Sequence, residues 1–186
     1  MKPHYAQHEQ IYQQIRAKGW SGWGGNHRID QVSQIIERLL ASGFPLRAGE
    51  ALELGCGEGS VTRHLAALGF KVTGIDISPT AIAWAREKTT NDTQQNCTFM
   101  CHDLTQIALP SQAFDLVVDG NCLHCIIGPD RQTLLSNVFN ALRNKGFFFV
   151  SSLCAPKEQV LEREGMAYRH IRTPEQIQRE LTDSGF

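Results

Sequence analysis

Glycines 55, 57 and 59 lie in the stretch ELGCGEGS, Glu53 to Ser60, between an apolar run and an amphipathic one. Glycine at this spacing lets the backbone turn sharply and lets a ligand approach closely. The helix start expected at Ser60 adds N–H groups suited to an anionic group such as a carboxylate. Asp76 ends the next apolar run, where an acid is placed to accept hydrogen bonds from ribose hydroxyls. A dinucleotide would fit this outline, but its fingerprint needs G-x-G-x-x-G and the spacing here is G-x-G-x-G. Glu53 and Glu58 also set two carboxylates where a pyrophosphate would lie, and like charges so close are costly. An ammonium and a sulfonium would be favoured there.

Other reactive side chains cluster further along. Cys122-Leu123-His124-Cys125 offers thiolate and imidazole ligands for zinc or a soft substrate. The remaining grouped candidates, Cys97, Cys101 and His102, belong to a different strand, so no metal is expected, and the cysteines read as small hydrophobes after a buried strand. Asp119 ends that strand and His124 follows it. Both are candidate catalytic groups, His124 as a general base, a packing residue or a substrate contact. Upstream, Trp20 and Trp23 stand among Gly19, Gly22, Gly24 and Gly25. They read as a lid with aromatic surface for a sulfonium or a flat acceptor, or as anchors for an N-terminal helix.

The elements that must position these residues follow from hydrophobic periodicity. Strands are expected at Glu50 to Leu54, Lys71 to Ile75, Cys97 to Cys101, Phe114 to Val118 and Phe147 to Leu153. Between them run helical patterns: Val61, Leu65 and Leu68 after Ser60, a helix opened by Ser78-Pro79, and another marked by Leu134, Leu135, Val138 and Leu142. Ahead of the strands, Val32, Ile35, Ile36, Leu39 and Leu40 mark a helix with Asp30 as N-cap and Gly43 beyond its end. Thr173-Pro174-Glu175-Gln176 reads as a capping box opening a last helix closed by Gly185. Five strands, each crossing over through a helix or a longer link, give an α/β fold with a right-handed, doubly wound, mainly parallel sheet.

The charge pattern of the glycine loop favours S-adenosylmethionine. ELGCGEGS, then GIDIS at Gly74 to Ser78, HDL at His102 to Leu104 and FDLVVDGNCLH at Phe114 to His124, taken in this order, resemble a class I S-adenosylmethionine-dependent methyltransferase over roughly Glu50 to Leu153. The resemblance implies that Glu53, Gly55, Cys56 and Gly57 line the methionine portion of the cofactor. It further implies that Asp76 takes the ribose hydroxyls, Ile77 packs on the adenine, and Asp103 binds the adenine amino group with Leu104 beside it. Asp119 would lie near the methyl group and the acceptor, and S-adenosylhomocysteine would be the product. The family sheet usually carries two more strands, an antiparallel hairpin after the last helix. The chain stops at Phe186 where the first would begin, so these strands are expected to be missing, leaving the fifth strand's edge open to a partner, a homodimer included.

Composition sets the remaining bounds. The chain has 186 residues, 41% hydrophobic and 20% charged, which suits a single domain. It divides into N-terminal helices and a lid (1–45), a cofactor-binding core (46–155) and a C-terminal linker with a helix (156–186). A net charge of −1 gives no pull towards nucleic acid or anionic membrane. The N-terminus lacks a signal-peptide core and no apolar stretch is long enough to span a bilayer. Six scattered cysteines suit reduced thiols in the cytoplasm. No Asn-Pro-Pro-aromatic motif follows the fourth strand, which argues against a nucleobase amine or glutamine and leaves a small-molecule acceptor. Two other readings stand beside this one: a non-catalytic module that senses the cofactor or supports a partner subunit, and an NAD(P)-dependent oxidoreductase.

Overall fold

The central apolar runs become strands because each can be buried on both faces of a parallel sheet, while the two edge runs stay partly exposed. A computed structural model describes residues 5–23, 26–161 and 169–186, with the backbone alone at 26–30. Strands β1 (Glu50–Leu54), β2 (Lys71–Asp76), β3 (Cys97–Cys101), β4 (Phe114–Gly120) and β5 (Leu142–Ser151) pair in the order β3-β2-β1-β4-β5. Every pairing in this sheet is parallel. The order reverses between β1 and β4, and the carboxyl ends of those strands frame the crevice where such sheets bind ligands.

Helices cover both faces: α1 (Gln7–Ala17), α2 (Asn26–Ala41), α3 (Ser60–Ala67), α4 (Pro79–Lys88), the short α5 (Asn91–Gln94), α6 (Gly128–Ala141) and α7 (Pro174–Asp183). Alternation along the strands divides the core. Leu52, Leu54 and Val117 pack with Leu134, Leu135 and Val138 of α6, while Ala51, Leu116 and Val118 face Val32 and Ile36 of α2 and Leu65 of α3. Ser78 caps α4 by accepting from the Ala81 amide at 3.0 Å, and Thr173 and Gln176 form the capping box of α7. At the end of α2, Gly43 at φ +78° and the bonds Gly43 N–H to Leu40 O and Phe44 N–H to Leu39 O make a Schellman close.

Three local expectations change. Asp30 is not an N-cap: α2 begins at Asn26, because the apolar spacing reaches back through Ile29 and outweighs the cap signal. Leu142 is not the end of the helix but the start of β5, opposite Phe114, with an irregularity before Leu116 is reached. The strand therefore starts five residues before Phe147, and it stops at Ser151, short of Leu153. Finally, the stretch read as a linker contains β6 (Gln159–Leu161) and β7 (Arg169–Ile171), an antiparallel pair that stands outside the main sheet and before α7. Among the described residues no helix is long and apolar enough to cross a membrane.

Candidate active site

A cleft of about 1080 Å³, its mouth included, opens at the carboxyl ends of β1 to β4. Its floor is set by the loop after β1. Cys56 N–H donates to Ile75 O at 2.9 Å, which fixes the loop against β2. Gly57 N–H donates to Asp76 Oδ2 at 2.8 Å and Ser78 N–H to Asp76 Oδ1 at 2.9 Å. Asp76 thus spans the loops after β1 and β2 and keeps further lone pairs for a ligand. Gly55 (φ +64°) and Gly57 (φ +55°) need glycine twice over. A Cβ at 55 would lie 2.7 Å from Cys122 Cβ, and one at 57 would lie 2.5 Å from Tyr12 Oη.

The two glutamates of the loop differ. Glu58 is buried but neutralised, with Arg63 at 2.9 Å and Lys88 at 3.1 Å on its Oε2. Glu53 is buried, accepts from Thr62 Oγ1 at 2.5 Å and has no ion-pair partner among the described residues. Burial pushes its carboxyl up to about 8, against the pull of the Thr62 hydrogen bonds. Burial also raises Asp76, opposed by the Ser78 and Gly57 amides. Asp103 holds Thr105 N–H at 2.8 Å and Thr105 Oγ1 at 2.7 Å through one oxygen. It lines the cleft with Ile77 and Leu104.

The other end of the cleft comes from the segment after β4: Gly120, Asn121 at φ +83°, Cys122, and a 3-10 turn over Leu123–Cys125. His124 lines the cleft and is 2% exposed. Asp119 does not line it. Fully buried behind this segment, it accepts from Cys122 N–H at 2.7 Å and Leu123 N–H at 2.8 Å through Oδ1, while Oδ2 has no hydrogen-bond partner among the described residues. Burial pushes Asp119 up to about 7. Burial also raises the Cys56 and Cys122 thiols well above their usual range, so both stay neutral. Among the described residues no group of three or more His, Cys, Asp and Glu is arranged to hold a metal.

The cleft is closed by an N-terminal cluster of which the sequence reading singled out Trp23 alone. Tyr5, His8 and Tyr12 line it from the N-terminal segment, and Trp23 stacks at its edge 5.1 Å from the Tyr12 ring and 5.6 Å from His8. Their spacing of three and four residues is a helical stripe, the signal that would have found them. Glu9 ties α1 to α4 by accepting from Ser78 Oγ at 2.6 Å and from Thr80 Oγ1 at 2.5 Å. Tyr5 Oη donates to Asp130 and accepts from Ile127 N–H, which ties the same segment to the start of α6. Trp20 is 52% exposed and is not among the lining residues, while Gly24 and Gly25 lie outside the described residues. Arg169 of β7 also lines the cleft; nothing in its sequence setting marked it.

The fold and this cleft define a Rossmann-like nucleotide-cofactor enzyme. An unpaired buried Glu53, carboxylates at 76 and 103 and a glycine cradle closed to any Cβ suit an ammonium, hydroxyls and an amine in one ligand.

Residues 51–146 match the methyltransferase domain family. An uncharacterized methyltransferase of Schizosaccharomyces pombe is 32% identical over 99 residues, 53% of this chain and 68% of that one. The ubiquinone biosynthesis O-methyltransferase of Coxiella burnetii is 25% identical over 134 residues, 72% of this chain and 56% of that one. The crystal structure of the Burkholderia thailandensis 1,6-didemethyltoxoflavin-N1-methyltransferase shares the fold over 100% of this chain and 80% of its own, with a TM-score of 0.76 at 20% identity. The chain belongs to the methyltransferase domain family and is a class I, Rossmann-like, S-adenosylmethionine-dependent methyltransferase. With that, the oxidoreductase and non-catalytic readings are set aside.

Proposed function

We propose that this enzyme passes the methyl group of S-adenosylmethionine to a small-molecule acceptor by in-line transfer. The observation that carries the reading is the two-ended cleft roofed by Tyr5, Tyr12 and Trp23. The loops after β1 to β3 form its cofactor end and the segment after β4 its acceptor end. Small-molecule chemistry also appears in the names of two similar proteins, the ubiquinone biosynthesis and 1,6-didemethyltoxoflavin methyltransferases.

Bound there, the cofactor supplies a methyl group already activated by its sulfonium. Glu53 takes the ammonium, the backbone of Gly55, Cys56 and Gly57 frames the methionine portion, and Asp76 accepts from the ribose hydroxyls. Ile77 and Leu104 flank the adenine, with Asp103 accepting from its amino group. Asp119 is a positioning residue, since it shapes the turn that carries His124 and stays out of the cleft. His124 takes the acceptor's proton when the nucleophile is a hydroxyl; a neutral amine needs no base. Trp23 and the Tyr12 ring exclude water, and Trp20 stands on the outer side of the same lid. Holding the acceptor in line contributes on the order of 7–11 kcal/mol from proximity. The enzyme acts in the cytoplasm, a reading supported by its six free cysteines.

The test is calorimetric titration with S-adenosylhomocysteine, with NADH as control, followed by an acceptor panel with wild type and His124→Ala. Micromolar binding, about −8 kcal/mol, with NADH silent is expected. On hydroxyl acceptors His124→Ala should lose roughly 10²–10⁴-fold in kcat with unchanged affinity for S-adenosylhomocysteine. Silence of S-adenosylhomocysteine sinks the cofactor assignment, and unchanged kcat on hydroxyl acceptors sinks the role of His124.

A further inference from the structure

Among the described residues, the cations beside the cleft that form ion pairs share acids. Arg63 and Lys88 share Glu58. Arg131 and Arg172 share Glu180, at 3.2 and 2.9 Å. Arg169 lines the cleft and has no hydrogen-bond or ion-pair partner among the described residues, and its Nε is buried. Burying part of a guanidinium with nothing to accept from it is costly. Such a position is retained at least cost if an anion completes it.

Strand geometry explains how Arg169 reaches the cleft. Side chains alternate along β7, so Arg169 shares a face with Ile171, which is buried in the body of the protein. His170 and Arg172 take the opposite face, where Glu158 lies 2.5 Å from His170 Nε2 and Glu180 2.9 Å from Arg172 Nε. β7 packs on the 3-10 turn that bears His124. Arg169 is therefore held beside the turn that bears His124, at the proposed acceptor end.

We propose that Arg169 determines acceptor specificity and that the methyl acceptor is a small molecule bearing a carboxylate, which the Arg169 guanidinium binds. This rests on the assignment of the cleft's two ends made above. The guanidinium fork matches a planar carboxylate with two parallel N–H···O bonds. The cofactor has a carboxylate too, but the N-terminus of α3, which no side chain caps, suits that group. The carboxylates of Asp76 and Asp103 also line the cleft. They disfavour any further anion except where a cation waits for it, so an acceptor with one carboxylate is oriented with that end at Arg169 and its nucleophile towards His124.

The full chain saturated with S-adenosylhomocysteine is titrated with two matched pairs, 3,4-dihydroxybenzoate against catechol and anthranilate against aniline. The carboxylated member of a pair should bind about 10- to 100-fold more tightly, the worth of a charge-assisted hydrogen-bonded pair. Arg169→Ala should bring the two members within about twofold of one another, with S-adenosylhomocysteine affinity unchanged and a melting temperature no lower than wild type, since the Arg169 guanidinium makes no hydrogen bond or ion pair among the described residues. Arg169→Lys should keep part of the preference, having the charge without the fork. Wild type that shows no preference for either carboxylate overturns the proposal. So does Arg169→Ala that loses affinity for S-adenosylhomocysteine, because the guanidinium would then serve the cofactor's own carboxylate. If wild type fails to bind S-adenosylhomocysteine, the assignment of the cleft fails first and the inference with it.

Discussion

Asp119 holds the amides of Cys122 and Leu123 through one oxygen, so a buried carboxyl, out of reach of any ligand in the cleft, decides where His124 sits. Asparagine keeps that accepting oxygen and alanine removes it. Asp119→Asn should unfold near the wild-type urea midpoint. Asp119→Ala should cost about 2–3 kcal/mol for two orphaned buried amides; a loss under about 0.5 kcal/mol would mean that water replaces the carboxyl. The residues legible in the sequence were those whose type is demanded by backbone geometry, Gly55 and Gly57, where a side chain has no room; Asp119, expected beside the methyl group, lies instead behind the segment after β4. The sequence could not distinguish Glu53 from Glu58. Their difference lies in Arg63 and in Lys88, the latter thirty residues away from Glu58 and brought beside it by α4.

At the scale of elements, the long periodic segments were readable and the short ones were not. β1 and β3 have the expected bounds, because their apolar residues stop at clear turn signals on either side. β6 and β7, three residues each, carry too little pattern to separate from a linker. They are held by charge: Glu180 of α7 bridges Arg131 of α6 and Arg172 beside β7, and Glu158 meets His170 and Arg172. Arg131 is 2% exposed, so removing its partner strands a buried cation. Glu180→Ala should therefore lower unfolding free energy by about 2–3 kcal/mol in urea, the lower side of a broken buried pair because Glu180 itself reaches water. The same variant should loosen Arg169 and with it acceptor binding. An unaltered urea midpoint would show that solvent carries these charges.

For the whole molecule, burial of acids gives stability a pH dependence. The carboxyls of Glu53 and Asp119 sit at about 8 and about 7 in the folded chain, against values near 4 when unfolded. The folded state thus binds their protons more tightly. This stabilisation is complete below the unfolded values and is lost as pH rises through the folded ones. The melting temperature of the cofactor-free protein should fall between about pH 5 and 8.5, and fall less in Asp119→Asn, which has one such proton fewer. Calorimetric scans across that range check it, and a melting temperature that rises steadily would refute it.

The two ends of the cleft also have different histories along the chain. The proposed cofactor contacts fall in three segments between Glu53 and Leu104, whereas the proposed acceptor end draws on residues near positions 120–126 and 169. A change in β7 alters one patch of that end, whereas α1 and the segment after β4 also touch the glycine loop, through Tyr12 on Gly57 and Cys122 on Gly55. Such a layout allows a lineage to exchange one substrate for another by drift in separate, lightly connected pieces while the methyl donor stays the same.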